Sequence, residues 1–219
     1  MVFLHGYLSS KEAFTAQIEY FSKFYRVTAF DFLGFGGSRC LTSAFSVLDY
    51  ATWTKGLLRQ LNVEKPHVIA HSFGCRVAVK LAAEDNGFFD KILLTGPAGI
   101  IMKRGLAYHV KVKSYRLVKK LAPAFAERKF GSAEYRSLSP IMRDSYKKIV
   151  NEDLRKDAAR INNPTLIVEG DADRTTPLAE AQVYMQNLQN GRLKIIQGGH
   201  FAFAEHPFAF NLIAEEFFI

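Results

Sequence analysis

The chain has 219 residues, 48% of them hydrophobic, which is enough apolar material for one globular domain with a sizeable core. Its two cysteines, Cys40 and Cys75, have no metal or redox spacing, so a disulfide framework is excluded and a cytoplasmic location is the default. The formal net charge is +8, but residues 100–160 alone carry sixteen Lys/Arg and six Asp/Glu while the remainder is slightly acidic; no recognition motif accompanies this charge, so nucleic acid is excluded as a partner, and the basic segment reads as solvated helix faces or as an attractor of anionic substrates or surfaces.

No apolar run is long enough to span a bilayer, so no transmembrane segment is expected. The start, MVFLHGYLSS, lacks the layout of a signal peptide. In chain order, MVFLH (1–5) reads as a buried strand. Ser9 with Glu12 has the capping-box spacing for a helix to about Lys23. YRVTAFDF (25–32) reads as a strand, followed by the glycine-rich loop LGFGGSR and a helix over 47–61. HVIAH (67–71) is a strand, a helix follows from Phe73 to Glu84, and KILLTG (91–96) is a strand. From about Ile100 to Ile161 only helical patterns occur; Ser139-Pro140 starts one helix and Asn151 caps a shorter one. TLIVEG (165–170) restores the strand pattern, then come a helix after Thr176-Pro177, a strand at LKIIQ (193–197) and a terminal helix from about Pro207.

Strands alternating with helices define an α/β fold with a mostly parallel sheet flanked by helices. The expected organisation is a core of residues 1–98 and 162–219, with residues 99–161 inserted as an all-helical lid over the C-terminal edge of the sheet, where open α/β sheets bind ligands.

Ser72 lies where a strand hands over to a helix. A sharp turn there needs small residues two before and two after the serine, and Ala70 and Gly74 stand at those positions. Because the usual first residue is glycine, the pattern alone leaves a nucleophile and an ordinary turn serine equally open. A serine nucleophile needs a base. Of the six histidines, His200 follows a strand end directly, whereas His5, His67, His71, His109 and His206 sit in strands, the lid or a helix start, with His71 pointing away from the serine. The base needs an acid, and GDADRTTP offers Asp171 and Asp173, one for a structural role and one for a catalytic role. Gly6 at the end of the first strand lets the Tyr7 amide approach a ligand, and the Tyr7 and Phe73 amides form the natural oxyanion pair.

Together these segments resemble the α/β-hydrolase superfamily across nearly the whole chain. HGY is similar to its oxyanion strand end, DFLGFGGS to its D-x-x-G-x-G-x-S loop, AHSFG to its nucleophile elbow, GDADRTTP to its acid-bearing loop and GGHFAFAEHP to its histidine loop. The resemblance assigns the acid to Asp173 and the base to His200, in the family's order of serine, acid and histidine. It implies acyl chemistry at Ser72 without metal or cofactor: carboxylic ester hydrolysis of the esterase or lipase kind, with carbon–carbon bond hydrolysis or a small aminopeptidase as alternatives within enzymes, and a ligand receptor or pseudo-enzyme outside them. The substrate is expected to be a small, partly apolar acyl compound, with Tyr108, Tyr115, Met142 and Phe201 as candidate pocket residues. Two strands that usually precede the oxyanion strand are absent before His5, so the segment 25–32 is expected at a sheet edge, in an all-parallel sheet, with self-association through that edge as one consequence.

Overall fold

The computed structural model describes residues 1–102, 135 and 137–219. Within them, β1 (Val2–Leu4), β2 (Thr28–Ala29), β3 (Val68–His71), β4 (Ile92–Thr95), β5 (Thr165–Gly170) and β6 (Gly191–Ile196) form one sheet in the order β2-β1-β3-β4-β5-β6. Every adjacent pair is parallel. β2 is the edge strand, as expected, but it is two residues long rather than eight. At its C-terminal end, the Phe32 side chain enters the core and the Phe32 amide donates to Nε2 of His5 at 3.0 Å instead of joining the ladder.

The helices are α1 (Thr15–Phe21), α2 (Val47–Gln60), α3 (Phe73–Glu84), α4 (Pro140–Val150), α5 (Arg155–Ala158), α6 (Leu178–Asn187), α7 (Ala202–Glu205) and α8 (Pro207–Phe218). They cover both faces of the sheet, which is why β3, β4 and β5 are buried along their whole length and are mostly apolar. Val2, Leu4, Val68, Ala70, Ile92, Leu94 and Ile167 pack on one face with side chains of α2, α3 and α6. The alternate residues Phe3, Ile69, Leu93, Leu166 and Val168 pack on the other with Phe21 of α1 and Phe210, Ala214 and Phe217 of α8. The period-two alternation of strand side chains thus builds two separate apolar layers from one sheet.

Helix starts follow local chemistry. At α2, Ser46 and Asp49 form a complete capping box. At α4, Ser139 accepts from the Met142 amide and Pro140 occupies the first turn. Three details depart from expectation. Ser9 and Glu12 do not cap a continuous helix: a 3-10 turn, Lys11–Phe14, precedes α1 and lacks a side-chain cap; instead the distant Asp31 accepts from the Lys11 amide at 2.8 Å. Asn151 closes α4 rather than opening α5, its side chain donating back to the Lys147 carbonyl at 2.8 Å, while Asp153 accepts from the Arg155 amide at the start of α5. The short helix α7 was not expected. Of the stretch 99–161, the described part holds α4 and α5 and no strand; the remainder lies outside the described residues. Among the described residues no helix is long and apolar enough to cross a membrane.

The chain runs from β1 outward to β2, then crosses back to β3 on the opposite side of β1. The strand order therefore reverses between β1 and β3, and the crevice at their C-terminal ends is where such sheets bind ligands. Gly6 and Tyr7 follow β1, and Ser72 follows β3.

Candidate active site

Ser72 has φ 50° and ψ −106°, a conformation that L-residues adopt only when the surroundings impose it. Its amide donates to Thr95 O of β4, and its carbonyl accepts from Cys75, each at 3.1 Å. The turn is possible because Gly74 lies against β1: a Cβ at that position would run into the backbone oxygens of Leu4 and His5. Ala70, where glycine is usual, is small enough to be fully buried in the apolar layer that also holds Phe73, Cys75 and Val77 of α3. Gly74→Ala should therefore destabilise the fold by about 3 kcal/mol, the upper end for overpacking against rigid backbone. Gly56→Ala in α2, where a Cβ meets nothing within 4 Å, should instead stabilise by about 0.5–1 kcal/mol. Urea unfolding of the two variants checks both signs.

His200 Nε2 lies 3.0 Å from Ser72 Oγ, and His200 Nδ1 lies 2.7 Å from Asp173 Oδ2. A carboxylate can only accept, so Nδ1 carries the proton and the Nε2 lone pair faces the serine hydroxyl. Asp173 also accepts from the amides of Thr175 and Thr176, at 2.7 and 3.0 Å, and from the Thr176 hydroxyl at 3.0 Å. Burial pushes its carboxyl up, but the bonds from His200 and from the Thr176 and Thr175 amides outweigh this and hold it well below the usual carboxylate range. Asp171 does different work: Oδ1 accepts from the Gly198 amide at 3.0 Å, tying its turn to the loop that carries His200. Gly198 (φ 132°) permits the bend of that loop.

Two further histidines, His71 and His5, brace the site. His71 does not point away from the site. It is 1% exposed, its ring lies 4.7 Å from that of His200, and Nε2 donates to the His200 carbonyl at 2.9 Å. Burial, followed by the neighbouring His200, pushes its pKa down to about 3, so it supports the loop as a neutral ring. His5 donates from Nδ1 to Gly6 O at 2.7 Å and accepts the Phe32 amide, which joins the Gly6–Tyr7 turn to the loop after β2. In that loop Asp31 accepts from the Gly37 amide and Ser38 donates to Asp31 O; these contacts hold the backbone that supports Tyr7. Phe73 is the first residue of α3, so its amide has no intrahelical acceptor. Two of these signals were local in the sequence, since His71 adjoins Ser72 and His5 adjoins Gly6, but their partners were not.

Glu169 of β5 is fully buried next to the Asp173 charge, and among the described residues neither of its carboxyl oxygens meets a donor at full hydrogen-bond geometry. Burial, then the negative charge of Asp173, pushes its pKa up to about 9. It is a neutral acid at physiological pH.

Two cavities open at Ser72. One, of about 490 Å³, is lined by Phe73, Arg76, Ile100, Ile149, Thr176 and Glu180 among others. The other, of about 350 Å³, is lined by His71, His200, Phe201, Leu138 and Tyr135. Tyr7, Tyr146 and Thr175 border both. Phe201 is thus on a cavity wall. Met142, by contrast, is a core residue: it is 7% exposed and packs in the main apolar layer, because α4 turns that face toward the body of the protein. Tyr108 and Tyr115 lie outside the described residues.

A parallel sheet between two helical layers, with serine, histidine and acid converging where its strand order reverses, is the architecture of an α/β hydrolase. Residues 1–113 match the family model of the alpha/beta hydrolase fold, and the chain belongs to that family. It is 31% identical over 129 residues to a protein described as probable lysophospholipase BODYGUARD 3 of Arabidopsis thaliana, a match covering 56% of this chain and about a quarter of that protein (25%). Among solved structures, an esterase from Exiguobacterium antarcticum superposes with TM-score 0.78 at 21% identity, covering 98% of this chain and 90% of that one. A meta-cleavage product hydrolase from Pseudomonas fluorescens superposes with TM-score 0.75 at 23% identity, covering 99% and 89%. At these identities the two structures speak to the fold alone.

Proposed function

We propose that the chain is a serine hydrolase that cleaves carboxylic esters. The observation that carries this reading is the relay from Ser72 through His200 to Asp173, with contacts of 3.0 and 2.7 Å, on a serine held at positive φ. His200 Nε2 takes the Ser72 proton as Oγ attacks the ester carbonyl. The Tyr7 and Phe73 amides stabilise the developing oxyanion, and Asp173 steadies the imidazolium. The tetrahedral intermediate collapses, His200 returns the proton to the departing alcohol, and an acyl-serine remains. Water, deprotonated by His200, then attacks the acyl carbon; the proton passes back to Ser72 and the carboxylic acid leaves.

Tyr135, Leu138 and Phe201 beside His200 support an apolar or aromatic leaving group, because the departing oxygen must lie next to Nε2 to be protonated. A fluorophosphonate probe tests the nucleophile: wild-type protein should be labelled and Ser72→Ala should not. Turnover of p-nitrophenyl esters of increasing acyl length tests the reaction. Labelling without turnover of any ester moves the assignment to carbon–carbon or amide cleavage, and a wild-type chain that takes no label is a receptor or pseudo-enzyme.

A further inference from the structure

Arg76 of α3 lies four residues after Ser72, about 6 Å along the helix axis, and lines the larger of the two cavities beside Ser72. The side chain is 8% exposed. Both of its hydrogen bonds leave from Nη1, to Ile149 O and Glu152 O at the end of α4, each at 2.9 Å. Nε and Nη2 donate to no group among the described residues, and no carboxylate there lies within ion-pair distance. Glu152 pairs with Lys80 at 2.7 Å. Glu180, on the same cavity wall, has interactions of its own and acts on Arg76 only at longer range, together with Glu152.

A guanidinium does not lose its proton in a protein. Held mostly out of water, it carries a desolvation cost that a close anion offsets, and Nε and Nη2 remain open to such a partner. Its planar fork suits a carboxylate, which it can hold through two parallel bonds. The geometry also indicates which part of a substrate would bring that carboxylate. The departing group must lie beside His200, which borders the smaller cavity and not the larger. The acyl part is then left to the cavity that contains Arg76.

We propose that Arg76 binds a carboxylate at the far end of the acyl chain, so that the preferred substrates are monoesters of short dicarboxylic acids with an apolar or aromatic alcohol. This rests on the serine-hydrolase reading above and names its substrate class. The competing role for Arg76 is only to clamp the end of α4 through Nη1.

The test compares p-nitrophenyl hemiglutarate with p-nitrophenyl pentanoate, which has the same acyl length and no charge. Wild-type kcat/KM should favour the hemiglutarate by about 10-fold or more, the scale of a charge-assisted pair. In Arg76→Gln that ratio should fall to about one, mostly through KM of the anionic ester, and Arg76→Lys should recover part of it. Glutarate should also inhibit pentanoate ester hydrolysis by the wild-type enzyme competitively, and glutaramide should not. A wild-type ratio of one or less overturns the proposal, as does an unchanged ratio in Arg76→Gln. If Arg76→Gln does not fold, equal inhibition by glutarate and glutaramide overturns it. Fluorophosphonate labelling separates the two levels: a labelled enzyme without anionic preference sinks the role of Arg76, and an unlabelled one sinks the serine-hydrolase reading itself.

Discussion

Asp173→Asn should lower kcat on a p-nitrophenyl ester by about 10,000-fold, the scale set by losing the carboxylate of such a relay. Asp173 accepts the Nδ1 proton of His200 at 2.7 Å. An asparagine held by the Thr175 and Thr176 amides through its oxygen would present its NH2 group to the ring. The imidazole then flips tautomer so that Nε2 carries the proton, and it can no longer accept one from Ser72. Asp171→Asn, two residues away, should cost no more than about several-fold, because the one bond it makes, from the Gly198 amide, needs only an acceptor, which an amide oxygen also supplies. Steady-state kinetics on both variants decides the matter, and comparable losses of kcat would overturn the assignment of roles.

Glu169→Gln should change how stability depends on pH. The Glu169 carboxyl stays protonated in the folded protein up to about pH 9, whereas in the unfolded chain it ionises near 4.5, the ordinary value for a glutamate. Between those values the folded state holds a proton that the unfolded state has released, so wild-type stability falls as pH rises through that window. Glutamine cannot ionise and removes this slope. From pH 5 to pH 8 the stability of Glu169→Gln relative to wild type should therefore rise, by an amount on the order of 2–4 kcal/mol. His71 works in the opposite sense. Its pKa is lowered from 6.5 to about 3, so below pH 6.5 the unfolded state takes up a proton that the folded state refuses, and stability falls as pH drops toward 3. Since His71 is untouched in Glu169→Gln, the difference between variant and wild type isolates the carboxyl. Urea unfolding at pH 5 and pH 8 measures it; a gap that does not move between the two pH values would mean that Glu169 is ionised or finds a partner in the fold.

Much of the architecture was legible in the sequence because it is local or periodic. The short, mostly apolar and β-branched segments at 68–71, 92–95 and 165–170, set between helical patterns, read as strands covered on both faces. Ser139-Pro140 states a helix start within two residues. Ala70 and Gly74 give Ser72 the small flanking residues that a sharp strand-to-helix turn needs, while the close approach of Gly74 to β1 imposes its dihedrals. The order of serine, acid and histidine segments along the chain, each just after a strand, was enough to predict that they meet at one edge of the sheet.

What failed depended on partners far away in the chain. Ser9 and Glu12 have capping-box spacing, yet Asp31, twenty residues on, supplies the acceptor for the Lys11 amide. The segment 25–32 has the composition of a full strand, but Phe32 leaves the ladder for the core and for His5. Met142 has the chemistry of a pocket residue, and the orientation of α4 buries it in the core.

By itself the sequence determined the class of fold and the order of most strands and helices, since these follow from side-chain periodicity and short-range sterics. Only the tertiary structure decided that Asp171 ties its turn to the His200 loop through the Gly198 amide, that His71 lies against His200 and holds its carbonyl, and that Arg76 faces the cavity beside the serine. Each of these is a contact across the fold, with a direction and a degree of burial that no local pattern encodes.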